Sequence, residues 1–514
     1  MMHRLLVLLL APVALAAQAV PRADTPRPGS VRVTFDPTIE IWGERFFDGR
    51  RERLGAPLSG DTMRGTYVPL IARIEQDVRT AGALPGFVAS LGKGLLALRH
   101  ERRTTPVTAE FGVTSRLSLG VTVPIVRVFT RVDLNLDTTG ANLGLNPLLT
   151  DPAGQEIYGT FFSQFDDVLS AMQLGIDNGE YGCPGTPQCD TAMEFLAEAR
   201  DVRNALSRTV YGTGAGGGAP FLPRDSSDGG LAIETNIRRI QQQLVTTYNV
   251  PGFDNPFLLP TGPVEESAMH EVLENPTYGF GVQPFVTTPP WLRYFPGDVE
   301  VAARYRLVAR PSYAATIGAL VRLPTGHLDS PNDALDISTG DEQLDVEAQL
   351  VQELVLLRKL WLNVSVRGGV QRAGERDCRV APAGTFLAPR AAAARLRWDP
   401  GDYLAADVAP LYRFSPAFAV GFTAGYLTRR DDRYTFLTPE DSVDLADRMG
   451  EPTRASVLDA GTGIQRVRLG VAATYVGPTF EGGLSVEQTV SASGGPVARA
   501  RVFRIVLRTS RKLF

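Results

Sequence analysis

Residues 463–476 read GIQRVRLGVAATYV, and apolar and polar side chains alternate along them. Val467, Leu469 and Val471 fall on one face of an extended chain, whereas Arg466 and Arg468 fall on the other. This period of two is typical of a β-strand with one apolar and one polar face. The apolar face would enter the core of a soluble sandwich, or would face lipid in a membrane barrel whose polar face lines a lumen.

The same alternation recurs along the chain and predicts a series of strands. We expect them at residues 31–42, 95–113, 117–136, 298–308, 312–323, 343–355, 360–371, 402–413, 417–428, 463–476, 480–490 and 497–509. These segments number twelve, and fourteen is the alternative because residues 95–113 could hold two strands. The predicted fold is therefore an all-β, antiparallel transmembrane β-barrel.

The gaps between these segments alternate in length, which favours the membrane barrel. Short gaps fall at residues 114–116, 309–311, 356–359, 414–416 and 477–479. Long gaps fall at residues 43–94, 137–297, 324–342, 372–401 and 429–462, and a shorter one falls at 491–496. Outer-membrane barrels have tight periplasmic turns and longer extracellular loops, and an even strand number returns both termini to the periplasm.

The polar face of these segments is strongly charged, so we predict that it lines a lumen. The expected lumen residues are Glu300, Arg304, Arg306, Asp345, Glu347, Glu353, Asn363, Arg367, Arg466, Arg468, Glu481 and Glu487. Because isolated charges in a confined interior are costly, we expect cross-strand ion pairs within two hairpins. The acids of 343–355 would pair with Arg367, and Arg466 and Arg468 would pair with Glu481 and Glu487.

The N-terminus has the features of a secretory signal peptide, residues 1–19. His3 and Arg4 precede an apolar stretch at 5–15, and Ala17-Gln18-Ala19 forms a cleavage site. No later apolar run is long enough for a membrane helix. Nucleic acid is not expected as a partner, because 56 acidic residues outnumber 52 basic ones and the basic ones form no stripe.

A segment of different character interrupts the barrel pattern at residues 137–297. Residues 158–174, 191–207 and 231–248 have helical apolar spacing, with glycine-rich stretches between them. Cys183 and Cys189 bracket a turn-forming PGTPQ sequence, and we expect them to form a disulfide. The segment would be a mainly helical extracellular cap or an inward-folded constriction. The barrel is then divided into residues 20–136 and 298–514.

Catalytic and metal-binding patterns are scarce, so we expect neither an enzyme nor a cofactor. The chain has four histidines, and His100 is interpreted as a rim or lumen residue. The acidic residues between Asp329 and Glu342 do not have the spacing of a calcium loop, which favours a solvated acidic loop. No metal site is predicted.

Several phrases resemble one group of outer-membrane proteins. EFGVTSRLSLGVTVP at 110–124, LPTG at 323–326 with STGD at 338–341, and LWLNV at 360–364 resemble the phenol meta-degradation-pathway family, which is related to the long-chain fatty-acid transporters. The resemblance covers the barrel, about half of the chain. It implies passage of small hydrophobic or aromatic compounds across the outer membrane. The helical insertion lies outside it, and no segment matches the fatty-acid transporters' N-terminal hatch.

The C-terminal Phe514 resembles the signal read by the barrel-assembly machinery, although Arg508, Ser510 and Lys512 replace the alternating aromatic residues expected before it. The partners expected are this machinery and outer-membrane lipid, and the expected location is the cell outer membrane. The predicted function is a channel or transporter for small hydrophobic or aromatic molecules. The alternative is a structural or surface-interaction barrel with a side-chain-filled lumen and a partner-binding helical cap.

Overall fold

The computed structural model describes residues 22–60, 69–212, 219–282, 293–333, 336–381, 385, 387–450, 452–477 and 480–513. The signal peptide, the glycine-rich residues 213–218 and the terminal Phe514 lie outside the described residues. The predictions made for them remain predictions.

Twelve strands form a closed antiparallel ring, in which each strand pairs with the next along the chain and the last pairs with the first. They are β1 (Ser30–Phe35 and Thr38–Trp42), β2 (Lys93–Gly112), β3 (Leu117–Asp137), β4 (Glu300–Arg310), β5 (Tyr313–Arg322), β6 (Asp345–Leu357), β7 (Leu360–Gln371), β8 (Tyr403–Arg413), β9 (Phe418–Arg429), β10 (Ile464–Val476), β11 (Phe480–Gly494) and β12 (Arg501–Lys512). The predicted fold class and the count of twelve are confirmed.

The ring closes through β1, which pairs with β12 from Ser30↔Lys512 onward and with β2 from Val31↔Phe111 onward. Asp36 and Pro37 interrupt β1, but its second half pairs with the same two neighbours. The alternative of two strands within residues 95–113 is wrong, because β2 runs without a break opposite β3. Pro106 and Pro124 face each other in this uninterrupted ladder.

The outer surface of the ring is an apolar belt. Exposed side chains on it include Leu119, Val301, Phe422, Leu484 and Ile505, and Phe422 is 71% exposed. Residues between these positions face inward. Many of them are polar or small, and some, such as Leu411 and Val506, are buried apolar side chains. Large apolar side chains in this arrangement require lipid around them, since water would otherwise meet a continuous apolar band.

The hairpin of β2 and β3 is longer than a membrane requires. Its strands have 20 and 21 residues, whereas a membrane-crossing strand needs about 10. In the outer half of the hairpin the face pattern reverses. Leu96, Val132 and Leu134 are buried on the face that continues the lumen wall, and polar residues such as Arg131 turn outward. This reversal explains why Arg127 and Arg131 do not fit the lipid-face pattern.

A helical cap packs on that inner face of the hairpin. It contains α1 (Pro69–Ala81), α2 (Pro147–Thr150), α3 (Gly154–Asp177), α4 (Pro187–Tyr211), α5 (Asp228–Thr246) and α6 (Glu266–Glu274). Tyr158, Phe161 and Phe165 of α3 are completely buried at the centre of its core. Because the cap shares a core with the lumen-side face of the hairpin, it lies over the mouth of the barrel and not beside it.

Helix α4 begins at a residue whose side chain caps it. Thr186, at the start of α4, accepts a hydrogen bond from the Cys189 amide. Cys183 and Cys189 are joined by a disulfide with Cα atoms 4.9 Å apart. Helices α1 and α6 were not predicted from the sequence. No helix in the described part of the chain is both long and apolar enough to cross a membrane.

Short elements fill the remaining extracellular loops. They are strands Glu44–Phe47, Arg50–Arg53, Leu143–Leu145, Phe221–Pro223, Arg293–Pro296, Gly374–Arg379, Ala393–Asp399, Arg433–Phe436 and Val497–Ala498, helix α7 (Pro439–Met449), and 3-10 turns Ala56–Leu58, Arg390–Ala392 and Ala455–Leu458. Arg379 ties these loops to the cap, since its guanidinium donates to the carbonyl oxygens of Phe280, Gly281 and Ala388.

Candidate functional site: the lumen and the segment inside it

Residues 22–28, here called the lumen segment, enter the barrel ahead of β1. Ala23 is fully buried and Arg22 is 3% exposed. Arg22 Nη1 lies 2.6 Å from Glu481 Oε2 on β11. The carbonyl oxygen of Ala23 accepts a hydrogen bond from the Thr316 hydroxyl on β5. Six strand steps separate β5 from β11 in a ring of twelve, so these are opposite walls. The lumen segment therefore spans the lumen.

Further contacts hold the segment on both sides. The Ala23 amide donates to Glu353 Oε1 on β6 at 3.1 Å, and Arg304 on β4 donates to the Arg22 carbonyl oxygen. Asp24 lies 2.9 Å from Arg32 on β1 and 3.0 Å from Arg22. All of these contacts are ion pairs or hydrogen bonds, and water can replace them. Breaking them would therefore expose no apolar core.

The wall residues at this level lie close to the short turns. Glu110, near the end of β2, accepts a hydrogen bond from the Ser118 hydroxyl at 2.6 Å and lies 3.3 Å from Arg304. Both Glu110 and Ser118 are within ten residues of the turn that joins β2 to β3. The short turns are on the periplasmic side of such barrels. The lumen segment thus occupies the periplasmic end.

The residues predicted to line the lumen lie on inward-facing positions of the ring. Asp345, Glu347, Glu353 and Asn363 are buried, with exposed fractions of 4% or less. Glu300, Arg304, Arg306, Arg367, Arg466, Arg468, Glu481 and Glu487 are partly buried at the same kind of position.

Only one of the two predicted sets of hairpin ion pairs is present. Arg468 lies 3.4 Å from Glu487 across the β10–β11 hairpin, but Glu481 binds Arg22 instead of Arg466. In the β6–β7 hairpin the prediction is wrong. Arg367 is opposite Gln349 in the register, and its nearest acid is Asp407 on β8, at 4.0 Å.

Asp407 is the acid at the middle of the lumen that the sequence analysis missed. Its carboxylate lies 3.3 Å from Arg468 on β10 as well as near Arg367. It is the one charged residue among the inward-facing alanines of β8, Ala405 and Ala409. A single charge in an otherwise apolar strand segment was the signal that could have identified it.

Several buried polar groups on this side of the lumen have no protein partner among the described residues. These groups are the side-chain amide nitrogen and oxygen of Asn363, the hydroxyls of Thr423, Thr474 and Ser485, and Nε of Arg466. Buried polar groups without a protein partner are hydrogen-bonded to water in folded proteins. This wall of the lumen is therefore suited to hydration.

The extracellular end is held by a second polar network. Arg322 on β5 lies 3.1 Å from Asp345 and from Glu300. Asp298 accepts hydrogen bonds from the backbone amides of Gly326 and Asp341, at 2.7 and 3.1 Å. Burial, reinforced by the nearby carboxylates of Asp345 and Asp298, raises the pKa of Asp341 to about 6.

Histidine contacts in the described residues are those of structural groups. His100 Nδ1 is 2.8 Å from the Thr130 hydroxyl across the β2–β3 ladder. His327 Nε2 lies 3.1 Å from Asp336, and its ring stacks on Phe295. Asp336 also accepts from the Ser330 amide, so this pair orders the 323–344 loop.

The closed ring, its apolar belt and its charged lumen define a transmembrane β-barrel of the bacterial outer membrane. No protein-family model matches the chain, and a search of curated proteins returns no match. Among solved structures, the chain is similar to the COG4313 outer membrane channel from Pseudomonas putida F1, with 7% identity, 95% of this chain and 98% of that chain covered, and a TM-score of 0.41.

Two further similar structures are a Pseudomonas aeruginosa FadL homologue and the Pseudomonas putida toluene transporter TodX. The first is 8% identical, with 95% and 91% of the chains covered and a TM-score of 0.29. The second is 10% identical, with 94% and 89% covered and a TM-score of 0.26.

Proposed function

We propose that this protein is an outer-membrane channel for small molecules whose lumen is closed at its periplasmic end by the lumen segment. The observation that carries the proposal is the bridge from Glu481 through Arg22 and Ala23 to Thr316, which joins opposite walls. A barrel that was only structural would gain more from apolar side chains that fill the lumen permanently. Here the closing contacts are polar and can exchange with water.

We propose small hydrophobic or aromatic molecules as the solutes. The sequence resemblance suggests this class. The lumen supports its aromatic members, because guanidinium groups stack on aromatic faces. Arg367 on β7 and Arg466 on β10 are at the same level of the ring, with β8 and β9 between them, and Arg367 and Arg468 both approach Asp407. Liposome swelling with a series of solutes of equal size, from aromatic to aliphatic, would test the order of permeation.

The test of closure is single-channel conductance of the purified barrel in planar bilayers. Arg22→Gln keeps hydrogen-bonding capacity but removes the charge that binds Glu481 and Asp24. We expect the open fraction to rise severalfold, and deletion of residues 22–28 to leave the channel open throughout. Arg27→Gln is the matched control, because Arg27 belongs to the same segment but is exposed.

The alternative function would be favoured by a different result. If the barrel without residues 22–28 is folded, as judged by heat-modifiable migration on gels, and still conducts nothing, the channel proposal is wrong. The alternative function, a surface-interaction barrel with a partner-binding cap, would then be the better supported one.

A further inference from the structure

The outer wall of the barrel has an apolar groove of about 560 Å³. It crosses strands β7 to β11, and its lining includes Leu360, Tyr412, Val420, Phe422, Ala473 and Leu484. Ala473 is directly opposite Val420 on one side and Leu484 on the other. Because alanine is much smaller than these neighbours, the belt is recessed at this point.

The groove lies in the periplasmic half of the membrane. Leu360 is the first residue of β7 and Tyr412 is the next-to-last residue of β8, so both adjoin short turns. Lys359, in the turn before β7, has its Nζ 6.0 Å from the centre of the Tyr412 ring. Lys359 and its neighbour Arg358 are exposed. Two positively charged side chains therefore lie at the periplasmic end of the groove.

The charged residues of the short turns are all basic. The short turns and the residues that flank them carry Arg116, Arg310, Arg358, Lys359 and Arg413, and no aspartate or glutamate. Basic residues at a membrane surface attract anionic lipid headgroups. Two copies of this chain joined through the groove by a two-fold axis would instead bring Lys359 toward its own equivalent, which argues against a second copy as the occupant.

We propose that the groove binds an anionic phospholipid of the periplasmic leaflet. Its phosphate would lie beside Lys359 and Arg358, and an acyl chain would fill the recess over Ala473. The aromatic ring of Tyr412 lies between the two parts, at the level where aromatic side chains of membrane barrels meet lipid headgroups. The site is separate from the lumen.

Native mass spectrometry of the full-length barrel would test this with phosphatidylglycerol and phosphatidylcholine of identical acyl chains. Arg358→Gln with Lys359→Gln should lower the preference for phosphatidylglycerol about tenfold. Arg116→Gln with Arg310→Gln removes two charges from turns that do not adjoin the groove, and should leave the preference within about twofold of wild type.

The acyl part is tested by filling the recess. Ala473→Leu should reduce retention of both lipids by a similar factor and leave the headgroup preference unchanged. Ala319→Leu, at an exposed position on β5, should have no effect. Equal loss of preference in both double variants, or unchanged retention in Ala473→Leu, would overturn the proposal. A protein dimer that Ala473→Leu abolishes would show that a second copy occupies the groove.

Discussion

Single residues in the lumen are placed so that charges of opposite sign alternate in space. Glu481 lies between Arg22 and Arg508, at 2.6 and 3.5 Å. Asp407 lies between Arg367 and Arg468. A buried charge with a partner on each side is far less costly than an isolated one. The lumen can therefore carry many ionised groups.

Asp341 differs from these acids because carboxylates surround it. Burial, together with the carboxylates of Asp345 and Asp298, raises its pKa to about 6, while Arg322 opposes this shift. A raised pKa means that the folded loop binds a proton more tightly than the unfolded chain does. The stability that this proton contributes is present below pH 4 and is lost as the pH rises through about 6.

Asp341→Asn removes the titration. Compared with wild type, we expect the variant's 323–344 loop to exchange amide hydrogens at the same rate at pH 3 and more slowly at pH 7, after correction for the intrinsic pH dependence of exchange. Glu342→Gln, at the exposed neighbouring residue, is the control and should follow wild type. A constant difference between Asp341→Asn and wild type from pH 3 to 7 would contradict the raised pKa.

Among the elements, the strands could be predicted and much of the cap could not. Lipid and lumen impose a strict period of two on a strand such as β10, so its sequence alone indicates it. Helix α1 packs on α4, which lies more than a hundred residues later in the chain. No local sequence pattern predicts such a contact. The lumen segment was missed for the same reason. Arg22 and Ala23 find their partners on strands hundreds of residues away.

The disulfide in the cap is an element-scale feature that counting thiols can test. In native protein we expect iodoacetamide to modify none of the three cysteines, since Cys183 and Cys189 are bonded and burial raises the pKa of the Cys378 thiol to about 11. Unfolding without reductant should add one label, and unfolding with reductant should add three. Three labels without reductant would show that the bond is absent.

Replacing both bonded cysteines with serine should destabilise the cap by about 2 kcal/mol, because the bond closes only a short loop. Hydrogen exchange of peptides from α3 and α4 would report this. Cys378→Ser is the control, since Cys378 lies in the Gly374–Arg379 strand away from α3 and α4.

At the scale of the whole molecule, the two ends of the barrel differ in structure. At the periplasmic end the lumen segment spans the lumen and the short turns carry basic residues. The other end is covered by a cap that packs on the β2–β3 hairpin and is tied by Arg379 to the loop between β7 and β8. A solute on the outside would therefore meet the cap and its loops first, and residues 22–28 last.

This arrangement fixes which parts of the protein face the outside of the cell. In a Cys378→Ser background the two remaining cysteines are bonded, so a single new cysteine reports one position. Leu174→Cys places a thiol on α3 where the native side chain is 60% exposed. Arg358→Cys places one on the exposed turn between β6 and β7. A maleimide that cannot cross the outer membrane should label the first in intact cells. It should label the second only after the outer membrane is permeabilised, because the short turns face the periplasm.

Labelling of Arg358→Cys but not Leu174→Cys in intact cells would mean that the barrel has the opposite orientation. In that case the lumen segment would close the outer end, and the lipid groove would lie in the outer leaflet.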